Sequence, residues 1–201
     1  MLELTGLLGV VEQRDCVLKQ VIKLGLGLGK LLIGSGTAIM ILLGAKNLGV
    51  DIGPDAFRYA GILEKLGSAG MDVRDEGMIH VAHRSDLEPG NPRLRYAREI
   101  IRVSNESAKL TEKLLNQKHR VIGVGGDHSM TLGLVSGAST ALNGELGLIY
   151  FDAHGDMNTD KTTLSGNIHG MHLASLIGLG PPELTHVHTA QTKIAKENLL
   201  H

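Results

Sequence analysis

A chain of 201 residues, 42% hydrophobic and 20% charged, is long enough for one α/β domain with a sizeable core, and is neither disordered nor fibrous. Its formal net charge of −1 gives no electrostatic reason to bind nucleic acid, and its Lys and Arg lack the interleaved aromatics of a single-strand binder. The single cysteine, Cys16, rules out an intrachain disulfide and fits a cytoplasmic location. With three Tyr, two Phe and no Trp, the core must be built from Leu, Ile, Val and Ala.

Residues 1–30 show no convincing period. The run Gly25, Gly27, Gly29-Lys30 invites a phosphate-loop reading, but Leu31 follows the lysine and position 24 is Leu, so G-x-x-x-x-G-K-[ST] is not met. Residues 31–45 are uncharged, yet 15 residues fall short of the roughly 20 a membrane-spanning helix needs. A buried first strand at 31–34 and an apolar loop are expected instead, and no membrane partner. Gly53-Pro54 reads as a turn into a short helix over 55–65, broken by Gly67 and Gly70. A short strand is expected at 71–74 and a polar surface loop at 83–93. From 92 to 118 apolar residues recur at helical spacing (Leu94, Ala97, Ile101, Ala108, Leu115), with a division at Ser104-Asn105.

The next stretch is the most regular. Residues 120–124 form a β-branched run, Gly125-Gly126-Asp127 a turn, 129–142 a helix-like segment weakened by Gly133 and Gly137, and 146–151 a second buried strand. Strand, helix and strand within about 30 residues predict a βαβ unit, hence parallel and adjacent strands with a right-handed crossover.

Parallel strands deliver their C-terminal ends to one sheet edge, where open α/β sheets bind ligands. The first strand ends in Gly-Gly-Asp127-His128-Ser129 and the second in Asp152-Ala153-His154-Gly155-Asp156. In extended backbone, Asp152, His154 and Asp156 at i, i+2 and i+4 share a face. Taken singly, a His at a strand end is usually a surface residue and an Asp there a helix cap. Together the four offer two imidazoles and two carboxylates, a donor set suited to Mn²⁺, Fe²⁺, Co²⁺ or Zn²⁺, and a pair of ions about 3.5–4 Å apart activates a water for hydrolysis. His172, His186 and His188 offer a weaker second cluster; His186-Val187-His188 lies in a Pro- and Thr-rich stretch and reads as solvated loop histidines.

The motifs GGDHS at 125–129, DAHGDMNT at 152–159 and SGNIHGM at 165–171 resemble those of the arginase family of ureohydrolases. LGVDIGPDAFRYAG at 48–61 and GMDVRDEG at 70–77 resemble the family's N-terminal region, so the likeness covers about residues 45–200 in order. It implies a three-layer α/β/α fold with a mainly parallel sheet, arginase/deacetylase-like. Residues 45–201 would be the partial catalytic core, and residues 1–44 an N-terminal segment that includes the candidate first strand. It also implies a centre of two Mn²⁺ ions held by His128, Asp152, His154 and Asp156, with the two aspartates bridging. Asn158, Thr163, Ser165 and Asn167 would hold the α-carboxylate of arginine, and His169 would shuttle protons. The implied reaction is hydrolysis of L-arginine to L-ornithine and urea, in arginine metabolism and the urea cycle, by a homo-oligomer. His172 stands where the family often has Pro. The family carries a later Asp-x-Asp motif with two further metal ligands, whereas no Asp follows Asp160. The fold is therefore expected to be C-terminally incomplete, with 194–201 entering another central strand. A catalytically incomplete fragment, or another ureohydrolase such as an agmatinase, stays open.

Overall fold

The computed structural model describes residues 36–41 and 52–201. Strand β1 (Gly36–Ile41) lies at the centre of a three-stranded parallel sheet, between β2 (Val73–Ile79) and β3 (Arg120–Gly125). Gly36 stands opposite Val73 on one side and Arg120 on the other. The candidate strand at 31–34 lies outside the described residues, as do most of residues 31–45. No described helix is long and apolar enough to cross a membrane.

Where a single helix is predicted over 55–65, the chain makes two: α1 (Gly53–Tyr59) and α2 (Ile62–Ser68). Gly61 between them is left-handed (φ 70°), a conformation that ends the first helix at little cost to glycine. Pro54 opens α1, where its missing N–H is no loss. Arg58 bonds Asp55 within the helix and Asp75 on β2, so α1 is tied to the sheet. Strand β2 runs five residues past the predicted end at 74.

Helix α3 (Ala97–Asn116) is continuous through Ser104-Asn105, contrary to the predicted division. The asparagine is tolerated because both ends of its amide are used: Nδ2 donates to Ile101 O, and Oδ1 accepts the His188 N–H at 2.8 Å. The buried face carries Val103, Ser104, Ser107, Ala108, Thr111 and Leu114 at three- and four-residue spacing. On the opposite face, Arg102 bridges Glu99 and Glu106 and donates to His80 O beyond β2.

Helix α4 (Met130–Ala141) is buried from Met130 to Ser139 and packs on α3. Its two interior glycines are the reason it fits there. A Cβ on Gly133 would lie within 2.5 Å of Ser104 O, and one on Gly137 within 2.2 Å of Ala108 O, so the helix backbones meet almost directly. The propensity cost of these glycines is offset by close packing.

The predicted adjacency of the two βαβ strands is not found. Strand β4 is short (Leu148–Ile149) and pairs in parallel with β5 (Leu199–Leu200), in a sheet separate from β3. A βαβ pattern indicates direction and handedness, but sequential strands neighbour each other only about two-thirds of the time. Helices α5 (His172–Leu176) and α6 (Pro182–Thr185) fill the C-terminal part, with Leu173, Leu176, Leu184, Val187 and Ile194 almost wholly buried. Each such side chain contributes roughly 1–3 kcal/mol relative to exposure. Lys193 is buried among them. Its ammonium donates to Thr185 O, Gln191 O and both oxygens of Thr189, and burial pulls its pKa down to about 8.

Candidate metal centre

His128 follows the C-terminal end of β3, in the turn that starts α4. Asp127 shapes that turn by accepting the Ser129 N–H at 2.8 Å and the Ser129 hydroxyl. Burial holds the Asp127 carboxyl above its ordinary value, outweighing the two Ser129 hydrogen bonds. Although β3 and β4 do not pair, their ends converge. The His128 Nδ1 lies 2.8 Å from Asp156 Oδ2 and 3.1 Å from Asp152 Oδ2.

Residues 152–156 are a loop, not the extended run that the i, i+2, i+4 reading assumes. Asp152 Oδ1 takes the backbone N–H of His154 at 2.8 Å, and Asp156 is left-handed at φ 44°. Asp152 and Asp156 still turn inward, with side chains 6% and 9% exposed, whereas His154 is 79% exposed. His154 keeps one link to the cluster, Nδ1 to Asp152 Oδ1 at 3.2 Å. Three of the four expected ligands are thus together and the fourth is at the rim.

Two further residues stand at the centre: Tyr150, absent from the sequence reading, and His172, which that reading places only in a weaker second cluster with His186 and His188. The Tyr150 hydroxyl lies 2.7 Å from His128 Nδ1, 2.9 Å from Asp156 Oδ2 and 3.3 Å from Asp152 Oδ2. Its position two residues before Asp152 was the available signal, since a buried tyrosine needs a partner for its hydroxyl. His172 opens α5 and is fully buried, with Nε2 3.9 Å from Asp156 Oδ2. Burial lowers its pKa to about 4, against the opposing pull of Asp156. Burial alone would raise the Asp156 carboxyl, but the hydrogen bond to His128, the nearby His172 and the Tyr150 hydroxyl hold it below the ordinary value. Of the other pair, His188 is bound to Glu112 on α3 at 2.7 Å, while His186 is exposed as expected.

The donor set fits a divalent transition metal. One imidazole nitrogen carries a single proton or lone pair, yet three oxygens crowd within 3.1 Å of His128 Nδ1. Carboxylate, imidazole and hydroxyl donors aimed at one point are what a cation would organise.

The remaining predicted residues lie on the loop that follows. Asn158 donates its N–H to Gly170 O and accepts from the Thr162 hydroxyl. Thr163 is buried and accepts the Gly166 N–H; Ser165 is exposed and accepts the Asn167 N–H. Arg93 donates to the carbonyls of Asp160, Lys161 and Thr163, and Arg95 N–H to Gly166 O, so the loop is clamped to 91–95. Gly166 sits at φ 71°, where a Cβ would overlap Pro92 O. His169 is half-buried, and its carbonyl accepts from His172 Nδ1 at 2.6 Å.

An α/β fold that brings histidine and carboxylate side chains together where strands end defines the class as α/β proteins with a candidate metal site. The sequence profile described as "Arginase family" matches residues 36–200, and the chain belongs to that family. It is 38% identical over 159 residues to the arginase of Bacillus caldovelox, covering 79% of this chain and 53% of that protein. The solved native structure of the Bacillus caldovelox arginase superposes with a TM-score of 0.76 at 36% identity, over 82% of this chain and 56% of the other. Entamoeba histolytica arginase in complex with L-ornithine superposes with a TM-score of 0.71 at 29% identity, over 84% and 57%. The α/β arginase fold is therefore this chain's fold, and the chain spans about half the length of the curated relatives it matches.

Proposed function

We propose that this chain provides the metal-binding part of an arginase that hydrolyses L-arginine to L-ornithine and urea at a binuclear manganese centre. The observation that supports this best is the convergence of His128, Asp152 and Asp156 within hydrogen-bond distance of the Tyr150 hydroxyl. His128, Asp152, Asp156 and, from the rim, His154 would hold manganese. When bound, the ions supply Lewis acidity and make a water nucleophilic near neutral pH. The protein's own share is positioning. Asn158, Ser165 and Asn167 present amide and hydroxyl groups suited to a carboxylate without fixed charge, and Thr163 fastens the loop that carries them. His169 is the proton carrier, since an imidazole can both accept and donate a proton. The ornithine bound by the Entamoeba enzyme agrees with a linear amino-acid product. Cytoplasmic location and homo-oligomeric assembly belong to the same proposal.

A second reading is favoured by charge balance. Two dications bring four positive charges, and among the described residues the cluster offers only Asp152 and Asp156 as anions. The 201-residue chain alone is expected to bind a second Mn²⁺ weakly and to release little urea. The test is to measure Mn²⁺ stoichiometry and urea release for the chain alone and for a chimera extended with the C-terminal part of the Bacillus caldovelox arginase. Urea from arginine, but not from agmatine, is expected of the chimera. A folded, metal-loaded chimera that spares arginine would sink the proposal.

A further inference from the structure

We infer that His172 is itself a metal ligand, joining His128 and Asp156 around the inner position of the cleft and favouring a zinc-class ion, Zn²⁺ or Co²⁺, there; this rests on the reading above that the cleft holds metal.

The tautomer of His172 is set by its surroundings. Its Nδ1 lies 2.6 Å from the carbonyl oxygen of His169. A carbonyl only accepts, so Nδ1 carries the proton and Nε2 the lone pair. That lone pair is buried and has no hydrogen-bond partner. A histidine whose one ring nitrogen donates to a backbone carbonyl while the other is free is arranged as metal-ligating histidines are.

The direction of the free nitrogen completes the geometry. Nε2 is 3.9 Å from Asp156 Oδ2, too long for a hydrogen bond. Two donors each about 2.1 Å from one ion sit roughly 3–4 Å apart, depending on the angle. The donor atoms of His128, Asp156 and His172 all lie within 4.8 Å of one another, so closure on one ion takes shifts of under about 1 Å. Packing against Tyr150 and His128, at ring centroid distances of 5.4 and 5.8 Å, explains why an aromatic ring is accommodated here. It leaves the orphaned Nε2 unexplained. Two imidazoles and one carboxylate favour zinc-class ions over Mg²⁺ or Ca²⁺, which take oxygen donors. His172 stands on the core side of the cluster and His154 on the solvent side, so the inner ion would gain a nitrogen donor that the four-residue manganese set does not include.

The experiment uses the 201-residue chain loaded with one equivalent of Co²⁺. His154→Ala alters an exposed side chain and removes the rim imidazole. X-ray absorption on that variant counts imidazoles at the metal, and two are expected, His128 and His172. A single imidazole overturns the inference whether or not any other variant folds. In parallel, His172→Phe keeps the aromatic volume and should weaken Co²⁺ binding more than about 10-fold, with altered visible bands. Unchanged affinity and bands in His172→Phe, with binding lost in Asp152→Asn, reject the His172 site and leave the manganese reading standing. Failure of the unaltered chain to bind Co²⁺ or Mn²⁺ rejects both.

Discussion

Gly137→Ala places a methyl group at the point where α4 and α3 come closest. In an exposed helix this change would stabilise by about 1 kcal/mol. Here the new Cβ would meet Ala108 O at 2.2 Å and Ala108 Cα at 2.9 Å, all rigid helix backbone. Ordinary contact needs roughly 3.4 Å, so the helices must part by about 1 Å, and a gap of that size forfeits a quarter to a half of each dispersion contact along the seam. Overpacking of this kind costs about 3 kcal/mol at the upper end of its usual range, leaving a net loss of about 2 kcal/mol. Urea denaturation followed by circular dichroism should register a lower midpoint, with a Tm lower by about 4–8 °C for a chain of this size. Gly67→Ala is the matched control: this α2 glycine has nothing within 4 Å of its notional Cβ, and the substitution should stabilise by about 0.5–1 kcal/mol. If Gly137→Ala proves as stable as the original chain, the two helices are not held at backbone contact.

Asp152→Asn should weaken Mn²⁺ binding in equilibrium dialysis, since a neutral amide cannot replace an anionic donor to a dication. In the active chimera, His169→Ala should retain its metal while turnover falls about 10²-fold or more; metal loss with intact chemistry would reverse the assigned role. Lys193 has a native pKa of about 8, below its unfolded value, so the unfolded chain binds more protons between the two. Its burial penalty is full below about pH 8 and fades as pH rises toward 10.5, so the stability of the original chain relative to Lys193→Met should rise over that window in urea melts.

The strand segments at 120–125 and 148–149, the helix between them and the convergence of GGDHS with DAHGD could be read from local pattern because each rests on neighbours in sequence. Sheet partners could not. Strand β4 finds β5 some fifty residues on, and nothing in residues 146–151 encodes that choice. The same limit hid His172. Sequence groups it with His186 and His188, yet it is fully buried with Nε2 3.9 Å from Asp156 Oδ2, a placement set by tertiary packing. Gly133 and Gly137 looked like weak points of a helix; their value lies in Ser104 and Ala108 on another helix. Asp156 reaches His128 through a left-handed turn, where the spacing alone predicts an extended strand.

The central place of β1 sets a timetable for folding. One face of its hydrogen-bonding ladder waits for residue 73 and the other for residue 120, so the sheet cannot close until the chain has grown through α3 to β3. Parallel pairings between such distant segments form slowly, because loop closure precedes any return in contacts. On the ribosome, β1 therefore emerges well before β3 and spends that interval with one edge unpaired, the kind of segment that chaperones hold and that aggregates when they do not. Strand β3, packed on α3, is the natural template on which β1 is finally captured.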